Sequence, residues 1–139
     1  MPIAYTAHAT STGGRDGRGR TDDGKLDLPL SLPKEMGGDN KGTNPEQLFA
    51  VGYSACYLGA IRFVAGKEKV TITPDATVTA HVGVGPRDDG AGFGIEVALD
   101  VHLPGLDKAT AEDITTKAHV VCPYSHATKG NIKVTTKIV

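Results

Sequence analysis

From Leu48 to Ile61 the chain carries fourteen residues without a charge. This run lies inside Asn44–Gly66, which reads as one long helix. Pro45 suits a first turn, where its missing N–H costs nothing. Asn44 is a good N-cap, and Gln47 three residues on completes a capping-box-like pattern. Gly66, with Lys67 and Lys69 just beyond, marks the stop that the helix dipole favours. A helix apolar on all sides is expected to be buried, and the uncharged run is shorter than the roughly 20 residues a bilayer span needs.

Elsewhere the pattern has period two or a single stripe. Ala4 to Thr10 reads as a strand, and Gly13 to Arg20 as a loop. Asp23-Gly24 signals a hairpin. Leu26, Leu28, Leu30 and Leu32 alternate with polar or turn residues, a half-buried strand that Pro29 places at an edge. A glycine-rich loop, Glu35 to Thr43, feeds the long helix. Val78, Ala80, Val82 and Val84 share one face of a strand. Ile95, Val97, Leu99 and Val101 share one face of the next, and the turn Pro86 to Gly92 makes the two a long hairpin. Asp107 or Thr110 caps a second helix striped by Ala111, Ile114, Ala118 and Val121. Cys122-Pro123 breaks it, because proline disfavours helical geometry in the residue before it. Gly130-Asn131 turns into a final strand, Ile132 to Val139. The predicted order is β-β-β-α-β-β-α-β, an α+β class with mainly antiparallel pairing, in a single domain over residues 1–139.

Composition changes this picture in one respect. The chain of 139 residues has 18 glycines, no tryptophan and only 5% aromatic residues. It has little side-chain volume with which to bury a long apolar helix, so an oligomer that packs this helix against a second subunit is expected. The formal net charge of −1 gives no attraction to nucleic acid or to an anionic membrane. No basic-then-apolar segment opens the chain, so the expected compartment is the cytoplasm.

Candidate chemistry begins with the two cysteines, Cys56 and Cys122. In a reducing compartment a pair of thiols is not expected as a structural staple, and a bond between them points to catalysis or redox sensing. Cys56 also reads simply as a small buried hydrophobe. A reactive thiol, however, needs a second one to resolve its sulfenic acid, and Cys122 lies at a helix break where backbone motion is easy. In the loop Gly13-Gly14-Arg15-Asp16-Gly17 the glycines permit a tight turn that presents Arg15, and a guanidinium beside a thiolate lowers its pKa from about 8.5. The five histidines lack ligand spacing, and no Cys-x-x-Cys occurs, so no metal is expected. Gly83-Val84-Gly85 fails as a dinucleotide motif, and no Gly-x-Ser-x-Gly is present.

Four blocks taken together carry a family resemblance. They are Thr12–Gly17 (TGGRDG), Gly42–Phe49 (GTNPEQLF), Gly52–Cys56 (GYSAC), and Val121–Ser125 (VCPYS) running on to Gly130-Asn131-Ile132. In order and spacing the chain resembles the organic hydroperoxide resistance proteins, the Ohr branch of the OsmC/Ohr family, over essentially its whole length. The resemblance implies two antiparallel three-stranded sheets, a long buried central helix and an intertwined homodimer. It implies a cytoplasmic, cysteine-based peroxidase that reduces organic hydroperoxides and is recycled by dihydrolipoyl groups on a small molecule or a lipoylated protein, with no bound cofactor. It implies Cys56 as peroxidatic cysteine, Cys122 as its resolving partner through a Cys56–Cys122 disulfide, Arg15 as the activating arginine and Glu46 as the glutamate that holds it. Gly17-Arg18-Gly19-Arg20 adds basic residues beside the motif, and His126 stands where the family pattern leads one to expect asparagine. The rival readings are a Cys-based hydrolase, which needs a histidine base that the central helix does not supply, and a redox-sensing or structural dimer module without turnover.

Helix geometry adds one constraint. Residues 46 and 56 of a single helix are about 15 Å apart along the axis and rotated by roughly 80°. Two copies of the helix crossing antiparallel near Val51 and Gly52 would bring Glu46 of one chain level with Cys56 of the other. A bend in the helix or a longer arginine reach are the alternatives within one chain.

Overall fold

The computed structural model describes all 139 residues as two compact units, Met1–Leu48 and Phe49–Val139. In the first unit, β1 (Ala9–Thr12), β2 (Arg18–Thr21) and β3 (Asp27–Pro29) form an antiparallel sheet in that order. Pro29 is on an edge strand, as its missing N–H requires. β2 occupies part of the stretch expected to be loop, because the turn before it is tighter than its glycine content suggested. The Asp16 N–H donates to the Gly13 carbonyl at 3.1 Å, and Gly13 and Gly14 both have positive φ. A Cβ on Gly17 would come within 1.9 Å of the Thr12 carbonyl oxygen, so only glycine closes this turn.

The helix α1 runs from Pro45 to Lys67. The Gln47 N–H donates to Asn44 Oδ1 at 2.9 Å, which is the expected cap. The Gln47 side chain does not complete the box; it accepts from the Thr43 hydroxyl instead. At the other end the left-handed residue is Lys69, with φ 57, and not Gly66. The Val70 N–H then reaches back to the Ala65 carbonyl at 2.9 Å.

In the second unit β4 (Thr77–Pro86), β5 (Phe93–His102) and β6 (Val134–Ile138) form a sheet with β5 in the centre. The hairpin pairs Val78 with Val101, Ala80 with Leu99, Val82 with Val97 and Val84 with Ile95, so the expected apolar faces coincide across the ladder. β6 joins β5 in parallel. Among the six strands this is the one departure from antiparallel pairing, and it follows from the crossover through α2 (Lys108–Val121) and α3 (Pro123–Thr128) that separates the two strands. Asp107 caps α2 by accepting from the Thr110 N–H at 2.8 Å. The short helix α3 was not expected; Pro123 at its first position ends one helix and starts the next.

The core of this unit lies between the sheet and the two longer helices. Tyr57, Ile61, Leu99, Val101 and Ile114 are fully buried in it. Tyr57 donates its hydroxyl to the Thr115 carbonyl at 2.8 Å, which ties α1 to α2. The expectation of a helix buried on all sides needs correction. The face of α1 bearing Tyr53, Tyr57, Ala60, Ile61 and Val64 is buried. The opposite stripe, Val51, Ala55, Gly59 and Phe63, is exposed in the single chain, Val51 by 68% and Phe63 by 52%. With all its turns counted, α1 is also long and apolar enough to cross a membrane by length and composition, a test that the core helix of a soluble protein equally passes.

Packing at the centre of β5 yields a stability prediction. Leu99→Ala, at a fully buried position, is expected to cost about 2–5 kcal/mol. Phe93→Ala, at a position 75% exposed on the same strand, should change stability by no more than about 0.5 kcal/mol. Urea denaturation of the two variants checks this, and equal losses would contradict the burial assigned to Leu99 against the exposed end of the strand.

Candidate active site

The tight turn that Gly17 closes presents Arg15, and the first turn of α1 presents Glu46. The two meet as a bidentate pair. Arg15 Nη1 donates to Glu46 Oε2 at 2.8 Å, and Nη2 to Oε1 at 2.7 Å. This two-point geometry is what a planar guanidinium offers a carboxylate. Glu46 is the more enclosed partner, with 13% of its side chain exposed against 41% for Arg15. The hydrogen bonds from Arg15 hold the Glu46 carboxyl below its ordinary value, against the opposing effect of its own burial. Arg18, the neighbouring candidate, is committed elsewhere: its Nε donates to Asp27 Oδ1 at 2.6 Å.

Both cysteines lie in the second unit. Cys56 is half-buried in the middle of α1, and Cys122 is fully buried between α2 and α3. Their sulfurs are 3.6 Å apart, with the Cys122 thiol directed at Cys56 Sγ. Residues distant in sequence are thus brought to contact as free thiols. Cys122 is the N-cap of α3; its backbone is extended, with ψ 120°, as the following proline demands, and its sulfur accepts the Ser125 N–H at 3.4 Å.

The immediate surroundings of Cys56 act on its acidity in opposite senses. Burial pushes the thiol up, the Tyr124 backbone N–H pulls it down, and the neighbouring Cys122 pushes it up again. The net direction is upward. The sequence suggested a thiol lowered by a guanidinium; the groups acting on Cys56 here raise it.

Aromatic side chains of α1 and α3 cluster near the helix break. Tyr124 lies 5.7 Å from Tyr53 and 5.9 Å from Phe49, centroid to centroid. Its hydroxyl would be 2.9 Å from a Cβ placed on Gly52. Gly52, expected to ease a helix crossing, thus leaves room for this ring one turn before Cys56. Tyr53, Tyr124 and Ser125 belong to the motifs, but the sequence assigned them no role. The signal that locates them is Cys-Pro: a proline at the first position of a new helix makes the preceding cysteine its cap and points the next amides at that cysteine's sulfur. No three His, Cys, Asp or Glu side chains gather in a way that could hold a metal ion.

These elements and their order agree with known proteins. The model of the OsmC-like protein family matches residues 38–137. The chain belongs to this family, on its organic hydroperoxide resistance (Ohr) branch. An organic hydroperoxide resistance protein of Xanthomonas axonopodis pv. citri is 51% identical over 96% of this chain and 93% of its own length. Organic hydroperoxide resistance protein OhrB of Bacillus subtilis is 41% identical, covering 94% of each chain. Among solved structures, an organic hydroperoxide resistance protein of Legionella pneumophila superposes with a TM-score of 0.93 at 44% identity, over 99% of this chain and 98% of that one. The fold is therefore the expected OsmC/Ohr α+β architecture of two three-stranded sheets and a long helix.

The bidentate pair yields a pH prediction. Glu46 has a lowered folded pKa, so its pairing contributes fully above the unfolded carboxylate value of about 4.3 and is lost as pH falls through the lower folded value. A carboxyl NMR titration of Glu46 should show a midpoint below about 4.3, moving upward in Arg15→Gln. A midpoint unaffected by that substitution would remove Arg15 as its cause.

Proposed function

We propose that this Ohr-branch protein is a thiol peroxidase for organic hydroperoxides. The observation that carries the reading is the 3.6 Å contact between two free thiols, one half-buried and one fully buried. In the first step the Cys56 thiolate attacks the terminal oxygen of R–O–O–H. The O–O bond breaks, the alkoxide takes a proton and leaves as R–OH, and Cys56 becomes a sulfenic acid. Cys122 sulfur then attacks the sulfenic sulfur, water leaves, and the Cys56–Cys122 disulfide forms. A dihydrolipoyl dithiol, free or carried on a protein, reduces this bond by exchange and is itself oxidised to a disulfide. The compartment we propose is the cytoplasm, where such dithiols are kept reduced.

Arg15 and Glu46 serve the first step in this reading. The surroundings of Cys56 raise its pKa, so a nearby positive charge is required for a useful thiolate fraction at neutral pH. Arg15 is the candidate, oriented by Glu46. Ten residues of helix separate Glu46 from Cys56, about 15 Å of rise, which favours a homodimer in which the pair of one chain serves the thiol of the other. The exposed stripe Val51, Ala55, Gly59 and Phe63 is the surface we assign to the second copy. Cys56 packs against the hydrophobic core, an environment that suits alkyl peroxides, each buried CH₂ contributing roughly 0.8 kcal/mol. The hydrolase reading loses support, since both ring nitrogens of His119 are engaged by the hydroxyls of Ser125 and Thr136.

The deciding assay is consumption of cumene or tert-butyl hydroperoxide with dihydrolipoamide as reductant. Cys56→Ser should abolish it. Cys122→Ser should allow a single turnover and then overoxidise. Arg15→Ala should shift the pH profile of Cys56 alkylation upward. A wild type that forms the disulfide but does not turn over with any dithiol would leave a redox sensor instead. For the assembly, Glu46→Ala and Cys56→Ser subunits are mixed. A heterodimer with one undamaged site should regain part of the activity, and its failure to do so would place the Arg15–Glu46 pair with the thiol of its own chain.

A further inference from the structure

Behind Cys122 lies a buried polar cluster to which the peroxidase chemistry gives no part. Its hub is the Ser125 hydroxyl, in the first turn of α3. Ser125 Oγ is 2.8 Å from His119 Nδ1, on the last turn of α2, and 3.0 Å from the Tyr53 hydroxyl, on α1. His119 Nε2 is 2.7 Å from Thr136 Oγ1 on β6, and the Tyr53 hydroxyl is 3.2 Å from Thr128 Oγ1. The His119 ring also stacks on Tyr57, with centroids 4.4 Å apart. Tyr53 is fully buried, and Ser125 and Thr128 nearly so. One set of directions satisfies every atom: His119 Nδ1–H donates to Ser125, Ser125 to Tyr53, Tyr53 to Thr128, and Thr128 to the Tyr124 carbonyl, while Thr136 donates to His119 Nε2. That set needs a neutral ring, and burial lowers the pKa of His119.

We propose that His119, Ser125 and Tyr53 form a brace that positions Cys122 for disulfide closure. They act through Ser125, whose own N–H reaches the Cys122 sulfur. The rest of Cys122 is held on both sides: its N–H donates to Ala118 in α2, and its carbonyl accepts from His126 in α3. The helix break is therefore a fixed corner, pinned where α1, α2, α3 and β6 meet.

The inference rests on the peroxidase reading and deepens its second step. In that step Cys122 loses its thiol proton, its sulfur forms a bond to the Cys56 sulfenic sulfur, and the S–OH bond breaks. The departing hydroxide leaves as water. The Ser125 amide favours negative charge on the attacking sulfur. The sulfurs must close from 3.6 Å to a bond of about 2.05 Å with a dihedral near 90°. A loose corner lowers the fraction of time in which that geometry is available.

His119→Phe keeps the ring on Tyr57 and deletes both nitrogens. Ser125→Ala deletes the hub hydroxyl and keeps the amide. Tyr53→Phe, which removes one hydroxyl, stands in should either fail to fold. Single-turnover reaction with tert-butyl hydroperoxide separates the steps: sulfenic acid formation is timed with Cys122→Ser added, and closure by loss of the second thiol with both cysteines present. Sulfenic acid formation should stay within about twofold of the parent, while closure slows roughly tenfold, the effect of one or two lost hydrogen bonds. Sulfinic acid at Cys56 should accumulate in step with peroxide, and His119→Gln should restore part of the closure rate. Normal closure in folded variants overturns the brace. So does an equal slowing of both steps, which marks a merely structural role. A parent that forms no Cys56–Cys122 disulfide overturns the peroxidase reading and the brace with it, whereas a normal parent beside normal variants overturns the brace alone.

Discussion

The 3.6 Å between the sulfurs of Cys56 and Cys122 depends on a proline. Without Pro123, α2 would be free to continue through residue 122, and the cysteine would have helical geometry with its sulfur turned along that helix. The ring of Pro123 excludes this conformation from Cys122 and at the same time fits the first turn of a new helix. The chain therefore bends at the second thiol, and the bend places it against the middle of α1. The amide of Ser125 then addresses its sulfur. Hydrogen bonds hold both flanks of this helix break, Cys122 N–H to the Ala118 carbonyl and His126 N–H to the Cys122 carbonyl.

Electrostatics makes the first thiol harder to ionise. Cys56 lies half-buried against the hydrophobic core and beside a second thiol, which penalises a thiolate and, in the proposed reading, suits an alkyl substrate. The two demands conflict within one small volume. In the proposed homodimer the Arg15–Glu46 pair of one chain would resolve them for the thiol of the other, provided that the guanidinium is aimed and not free. A bidentate carboxylate does this at little cost in mobility, since both partners are already fixed, one by the turn that Gly17 closes and the other by the first turn of α1. Glu46 neutralises part of the charge it orients, so the pair trades field strength for direction.

Much of this was legible in the sequence, for identifiable reasons. Period-two alternation located β4, β5 and their shared register, because residues 78 to 84 and 95 to 101 face a single core. The α1 cap followed from Asn44-Pro45, and two pairings expected from the motifs, Arg15 with Glu46 and Cys56 with Cys122, are contacts in the structure. What was missed lay where local signals compete. Gly13–Gly17 looked like a long flexible loop, although its glycines serve one tight turn and leave Arg18–Thr21 free to pair as β2. The brace at His119 was not readable, since its partners Tyr53, Ser125 and Thr136 come from three other elements and only the tertiary fold assembles them. The upward shift of Cys56 was missed for the same reason: desolvation depends on what surrounds a group, and composition does not report it.

The charge-free run of α1 had a simple expectation, burial on every side, and the single chain covers only one side. The two faces differ in kind. The covered face carries the tyrosines, whose hydroxyls reach partners in α2 and α3. The uncovered stripe carries no hydrogen-bonding side chain, and its middle members, Ala55 and Gly59, are small. A stripe of that shape has nothing to offer water or a polar ligand, but it lets another helix approach closely over the turns that flank Cys56. In the proposed homodimer the surface that assembles the protein and the helix that carries its nucleophile are one element. Assembly would then exclude water from the same turns where the thiolate must be formed. Lower dielectric strengthens the attraction between a guanidinium and a thiolate just where burial makes that attraction necessary.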